Sequence, residues 1–446
     1  MTVHPEPSTF PRTISRRGVL LGAAGLAGLS ALAGCGGSLF GSADKLRYWN
    51  LFGGGDGVRM IDMEDTYREQ QPSVDLEAIT LAWGSPYYTK LAMAAAGGRA
   101  PEVAILHLSR LPGFSPGRLV DPFDLDLLAE FDVTEADFPP ALWERASVDG
   151  EVYAIPLDTH PLVLYVNRDI AGKAGLLADD ETLIEIASPQ AFLDALDASH
   201  EASGDIGLAT GNDNASLWRC FWTFYRQLGG EISLPIGSTV EFDRDKMTEI
   251  LEFFLQLYDG KRASPSMDLG GGIALFASGR SGFLLNGDGE VPTMETSIED
   301  TGSPNYTIVQ IPAVFGDEAL GQGDSHSFVL PHQNSPDPAK TRLAYGFVAS
   351  LLKQSVTWAG GGHVPAYQPI AKSDDYLEMR PQANYRAAGD VVQLDPDAWF
   401  SGSGSDFENQ VGSAIFAVVN KTQTVEQGIN QFSTAMNKLL STPSPV

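Results

Sequence analysis

Short apolar runs alternate along this chain with longer stretches in which apolar residues recur every three or four positions, the periods of strand and helix. Leu46 to Leu51 reads as a first strand and Val74 to Ile79 as a second. Val103-Ala104-Ile105-Leu106 is wholly apolar, as a strand covered on both faces would be. Leu162 to Val166, Gly282 to Leu285, Tyr306 to Ile311 and Phe328 to Leu330 read as later strands. Between them the spacing predicts helices. One runs from about Val58 to Gln70 and stops at Pro72, after a loop at Gly53 to Gly57. A second starts at Ser85-Pro86, with Ser as cap and Pro at the first helical position, and ends at Gly97-Gly98. Others start at Ser188-Pro189 or cover Leu217 to Leu228, Met247 to Tyr258 and Pro338 to Lys353. The last, Thr424 to Leu440, lines up Val425, Ile429, Phe432, Met436 and Leu439 on one face. Strands separated by helices predict an α/β fold with largely parallel sheets.

The first 35 residues do not fit that pattern. Ser15-Arg16-Arg17-Gly18 precedes an apolar run from Val19 to Ala33, followed at once by Gly34-Cys35. A twin arginine before a short apolar stretch is an export address. The run is shorter than the roughly 20 residues of a permanent membrane span. Leu32-Ala33-Gly34-Cys35 resembles a bacterial lipobox, whose Cys becomes the acylated first residue of the mature protein. Residues 1–34 are therefore read as a signal peptide of the twin-arginine (Tat) type, with the Sec route as the alternative. Residues 35–43 are read as the lipidated Cys35 and a Gly/Ser-rich tether. The expected location is the extracytoplasmic face of the cell membrane.

Cleavage before Cys35 would remove three arginines and one glutamate from totals of 29 Lys+Arg and 57 Asp+Glu, leaving 26 and 56, a net charge of −30. That excludes nucleic acid, which needs clustered cations, and docking on anionic lipid. A strongly acidic surface keeps an exported protein soluble. A chain of this length exceeds what one core supports, so two lobes are expected. Only Cys35 and Cys220 are present. With Cys35 acylated no internal disulfide can form, and Cys220, on an apolar helix face, is read as an inert thiol.

Several segments carry a family resemblance. Tyr48-Trp49-Asn50, Gly53 to Gly57 and the helix ending at Gln71-Pro72 open it. Gly98-Arg99-Ala100-Pro101-Glu102-Val103 leads into a core strand. Tyr153 to His160, running into Leu164-Tyr165-Val166-Asn167-Arg168-Asp169 and Ala174-Gly175-Leu176, is the most specific stretch. Gly282 to Gly287 and Gly362-His363-Val364-Pro365 complete it. Together they resemble the sugar-binding lipoproteins of bacterial ABC importers, the maltose-binding-protein-like extracellular solute-binding proteins of family 1. The family often places Trp after the Asn-Gly of the fourth segment, where this chain has Asp288.

The resemblance implies a two-lobe, type II periplasmic-binding-protein-like α/β fold with ligand held between the lobes. Crossing strands are expected near 156–162, 309–316 and 360–370. Lobe 1 would then comprise 44–158 plus 313–362, and lobe 2 159–312 plus 363–446. It also implies a non-catalytic monomer without cofactor, whose partners are a carbohydrate and the permease subunits.

A sugar needs aromatic platforms for its C–H faces and planar polar groups for its hydroxyls. Asp56, in the glycine loop, reads either as a ligand contact or as a helix cap. Trp83 follows the second strand beside Ser85-Pro86 and reads as a platform. His107 directly follows an apolar strand. Asp158 and His160 lie at the first crossing. Trp218, one turn before Trp222, reads as cleft or core, and Trp222 as core. Asn286 and Asp288 flank the Asn-Gly turn, His326 ends a loop, and Trp399 with Phe400 precedes a Gly/Ser-rich stretch.

The leading expectation is a receptor that captures a mono- or oligosaccharide and delivers it to a permease. The alternative is a secreted lipoprotein glycoside hydrolase or esterase, although Gly-x-Ser-x-Gly and His-Glu-x-x-His are absent. A lower alternative is a metal-ion receptor using His107, His160, His326 and His363, whose sequence positions do not give metal-ligand spacing.

Overall fold

A computed structural model describes residues 44–115, 118–180 and 182–444. The signal peptide, tether and Cys35 lie outside the described residues.

The chain begins with strand β1 (Asp44–Asn50), helix α1 (Gly54–Gln70), β2 (Val74–Thr80), α2 (Ser85–Ala96) and β3 (Val103–His107). β1 pairs in parallel with both β2 and β3. β3 is buried along its whole length, as its apolar run requires. Two local details differ from expectation. Helix α1 begins inside the glycine run read as a loop. A Cβ on Gly55 would lie 2.7 Å from Pro292, so the bare backbone lets this first turn pack against a segment of the second half. In α2 the cap is Gly84 at φ +90°, not Ser85, whose hydroxyl donates to the Gly404 carbonyl at 3.2 Å.

β4 (Ala154–Pro156) belongs to the first sheet, and β5 (Asp158–Asn167), directly after it, forms the centre of the second. Helix α3 (Asn214–Gln227) follows, capped by Asp213, which accepts from Ser216 N–H at 3.1 Å. Next come β6 (Phe283–Gly287), β7 (Tyr306–Gln310) and β8 (Gly321–Asp324), each antiparallel to β5. The second sheet is thus mixed, not largely parallel. β5 runs outward from the crossing and its neighbours run back towards it. β9 (His326–Pro331) returns to the first sheet, antiparallel to β3 and β4.

The return crossing therefore falls between Asp324 and His326, later than the expected 309–316. Ile311, Val314 and Phe315 pack in the second core, and β8 still pairs with β5 at Gly323–Pro161 and Asp324–His160. Helices α4 (Pro338–Lys353) and α5 (Ser355–Ala359) precede β10 (Val364–Pro365), which pairs with β5 at Thr159 and Asp158. This third crossing lies inside the expected interval. Helices α6 (Asp406–Val419) and α7 (Val425–Leu440) close the chain. α7 is fixed by a reciprocal Thr424–Gln427 capping box.

Two large cores result. One gathers Leu46, Tyr48, Met63, Leu91, Ile105, Phe328 and Phe347 around the first sheet. The other gathers Leu164, Leu196, Phe221, Phe254, Phe407 and Met436 on one face of the second. A smaller cluster with Tyr165, Phe276, Leu284 and Ile308 covers that sheet's opposite face. Cys220 is buried, and burial pushes its thiol up to about 12, consistent with an inert role. Among the described residues no helix is long and apolar enough to cross a membrane.

Candidate functional site

The strand directions bring polar side chains to one place. β3 ends at His107, β6 at Asn286-Gly287 and β8 at Asp324, while β5 starts at Asp158 and β9 at His326. All five ends meet where the chain crosses between the two sheets, the usual position of ligand sites in open α/β sheets. A cavity of about 320 Å³ opens there.

Of the residues singled out from the sequence, Asp56, Trp83, His107, His160, Asn286, Asp288 and His326 line this cavity. Trp83 is 48% exposed, and its ring lies 3.5 Å from where a Cβ on Gly404 would sit. A large aromatic is thus left half in solvent beside a polar cavity. Asp56 is not the helix cap, which falls on Gly53. Its carboxylate lies 3.0 Å from His363 Nε2.

Asp158 stands behind the cavity wall with no exposed surface. Its Oδ1 accepts from His326 N–H at 2.8 Å and from His160 Nδ1 at 3.1 Å. Its Oδ2 accepts from His326 Nδ1 at 2.8 Å and from Trp358 Nε1 at 2.6 Å. Burial opposes its ionisation, but the charge of His326 and the hydrogen bonds of His160 and His326 prevail and hold the carboxyl well below its ordinary value.

Two tryptophans are not brought to the site. Trp218 is fully buried in the second core, stacked on Trp222 at 5.2 Å, with its Nε1–H donating to Asp395 at 2.9 Å. Its helix position faces Phe407, and the next residue, Arg219, turns to the cavity instead. Trp399 packs on Phe400 and lines a separate depression with Tyr88 and Arg110.

Sequence reasoning missed the far wall, which carries Arg219, Gln322, Asp324, Asp395, Ser403 and Glu408. Arg219 pairs with Glu408 at 3.5 Å. Burial, reinforced by Glu408 and Asp324, pushes the Asp395 carboxyl up to about 7, against the pull of Trp218 and Arg219. Burial likewise raises Glu408, with Arg219 opposing. Three carboxyl groups here face one guanidinium. The one available signal was a lone arginine in the otherwise uncharged, aromatic-rich stretch Leu217 to Tyr225.

On the near wall, His363 sits between two carboxylates. Asp56 lies on one side, and Asp288 Oδ1 lies 3.3 Å from Nδ1 on the other. Burial favours the neutral ring, yet the two carboxylates outweigh it and raise His363 well above its ordinary value. Asp288 is fully buried, and burial pushes its carboxyl up to about 7 although His363 pulls the other way. His107 and His160 are held below the usual histidine value by burial and by His326. The cavity thus presents charged and neutral hydrogen-bonding groups from both halves around one exposed indole.

Fold and site define a solute receptor. Residues 65–376 match the family model of the bacterial extracellular solute-binding proteins, and the chain belongs to that family. A binding protein of Brucella abortus (strain 2308) is 21% identical over 355 residues, covering 77% of this chain and 80% of its own. The GacH receptor of Streptomyces glaucescens, solved unliganded and with acarbose, is similar in structure at a TM-score of 0.73 and 17% identity. The match covers 89% of this chain and 98% of that one. Maltose-bound MalE3 of T. maritima gives the same TM-score and identity, over 89% and 100%. A solute-binding protein of Agrobacterium vitis with bound D-mannitol gives 0.67 and 17%, over 89% and 98%. At such identities the likeness is one of fold. The family is one of solute-binding transport proteins, not enzymes.

Proposed function

We propose that this protein is the extracytoplasmic receptor of an ABC importer and captures a mono- or oligosaccharide for delivery, chemically unchanged, to the membrane permease. The observation that carries this reading is the cavity between the two cores, where hydrogen-bonding side chains from both halves surround the half-exposed Trp83. Asn286, Gln322 and the histidines can donate to and accept from hydroxyls, and the carboxylates can each accept from two. Several structural neighbours hold sugars or a polyol.

Asp56, Trp83, His107, His160, Asn286, Asp288 and His326 are the proposed contacts. Asp158 acts by holding His160 and His326 in place. Lobe 1 is taken as 44–158 with the returning segment up to 362, and lobe 2 as 159–312 with 363–446, joined on its packing by 313–324. Ligand touching both lobes stabilises the closed form by its differential affinity, and the permease recognises that form. The receptor works as a monomer moored through acylated Cys35 after export by the twin-arginine route, a reading supported by the order of its N-terminal signals.

A thermal-shift screen against mono-, di- and trisaccharides, with product analysis, tests the reading. A binding sugar raises the midpoint by mass action and is recovered intact. Turnover would establish the hydrolase alternative.

A further inference from the structure

Four of the chain's seven histidines converge in this cavity, from segments far apart in sequence. Asp158, His160, His326 and His363 each offer one ligand atom, and these atoms lie within 4.8 Å of one another. β5 contributes the first two, β9 the third and the glycine-rich turn before β10 the last. The Asp158 carboxylate is fixed from behind by the His326 amide and the Trp358 indole, and it also accepts from His160 Nδ1 and His326 Nδ1, two contacts that an ion held by the carboxylate would replace. The rings are fixed too. His160 stacks on His326 at 4.2 Å, and Trp358 stacks on His363 at 4.8 Å.

A hydrogen-bonded His–Asp network alone would leave no loose ends. Here His363 Nδ1 and both carboxylate oxygens of Asp288 are buried without a hydrogen-bond partner, although Nδ1 and Oδ1 lie only 3.3 Å apart. Unpartnered buried polar atoms occur elsewhere in the protein too, but here three of them lie beside a cluster of metal-ligating side chains, where a bound ion would satisfy them.

We propose that Asp158, His160, His326 and His363 form a binding site for a divalent transition-metal ion of the zinc class, with Asp288 beside it. Three imidazoles and one carboxylate are the donor set of such an ion, whereas calcium and magnesium take oxygen ligands. A doubly charged cation also offsets the fully buried carboxylates Asp158 and Asp288 and the partly exposed Asp56. Ligand atoms around tetrahedral zinc stand roughly 3.4 Å apart, and the four atoms here lie within 4.8 Å of one another. His160, His326 and His363 line the cavity, so the ion faces its interior. The site shares His160, His326 and Asp288 with the proposed sugar contacts, but an ion there needs no sugar.

The test titrates chelator-stripped protein with Zn²⁺ alone and then with Co²⁺ as a spectroscopic probe. One ion per chain is expected by calorimetry, with the intense visible bands of low-coordinate Co²⁺. His160→Asn and His363→Asn should each weaken Zn²⁺ binding at least about tenfold. A double variant at the two remote histidines, His200→Asn with His332→Asn, should leave it unchanged. Absence of saturable uptake overturns the proposal, as does uptake that survives both site variants or disappears in the remote double variant. If a site variant does not fold, the unmutated protein decides, because weak octahedral Co²⁺ bands also overturn it. Sugar binding is measured separately on stripped protein, so either reading can fail without the other.

Discussion

Replacing Asp158 by alanine should cost mainly stability. The carboxylate is fully buried and receives four hydrogen bonds, from His326 N–H, His326 Nδ1, His160 Nδ1 and Trp358 Nε1. Alanine leaves all four donors facing an apolar methyl. Hydrogen bonds to a charged acceptor contribute about 1.5–3 kcal/mol each, so four taken independently would suggest roughly 6–12 kcal/mol. That sum is too high, because the four share one acceptor whose own burial is costly, and coupled contacts do not add. Removing one partner from a buried charged pair typically costs about 3–5 kcal/mol, which is the expected loss for Asp158→Ala. Asp158→Asn keeps the shape and one acceptor oxygen and should lose less. The assay is denaturant unfolding at neutral pH, followed by tryptophan fluorescence and far-UV circular dichroism together, because a two-lobe chain need not unfold in one step. A loss below about 1 kcal/mol for Asp158→Ala would refute the reasoning, since four stranded donors, three of them buried, cannot be that cheap.

Other consequences follow from individual residues. Trp83→Ala should weaken sugar binding by about 1–3 kcal/mol with little change in unfolding midpoint, because the indole is half-exposed; calorimetry showing unaltered affinity would remove it from the site. Gly362 has φ +117°, and a Cβ there would collide with the Asp288 backbone, so Gly362→Ala should destabilise by at least about 2 kcal/mol, read from denaturant midpoints. Glu64 is raised to about 7 by burial, with Arg68 opposing, so the folded state holds this proton more tightly than the unfolded chain does. Its contribution therefore worsens as pH climbs from about 4.5 to 7, and Glu64→Gln should gain about 1–3 kcal/mol on the parent at pH 8 relative to pH 4.5. A pH-independent difference between the two proteins would contradict that assignment.

Element type was legible where one period dominated. The wholly apolar Val103 to Leu106 could only be a covered strand, and α4 spans the same residues, Pro338–Lys353, that periodicity marks. Strand direction was not legible, because apolar runs carry no sign of pairing partner, and β5 proved to be flanked by antiparallel neighbours. The return crossing was missed for a related reason. Gly321–Asp324, with almost no apolar character, is held in the second sheet by its pairing with β5. Residues following apolar strands, such as His107 and Asn286, line the cavity because strand ends feed it. Trp218 was left between cleft and core because helical spacing does not say which face meets the core, and one position decides between Trp218 and Arg219. The far wall could not be read, since Asp324, Asp395 and Glu408 look like any of the chain's many surface acids until the fold buries them.

The central claim is that the cavity beside Trp83 grips an intact carbohydrate. Calorimetric titration of the folded protein with the sugar selected by thermal shift, followed by mass analysis of the recovered ligand, tests it directly. The account predicts saturable one-to-one binding that is weakened by Trp83→Ala, with the sugar returned at its original mass. Cleaved product in the recovered ligand, or binding indifferent to Trp83, would contradict it.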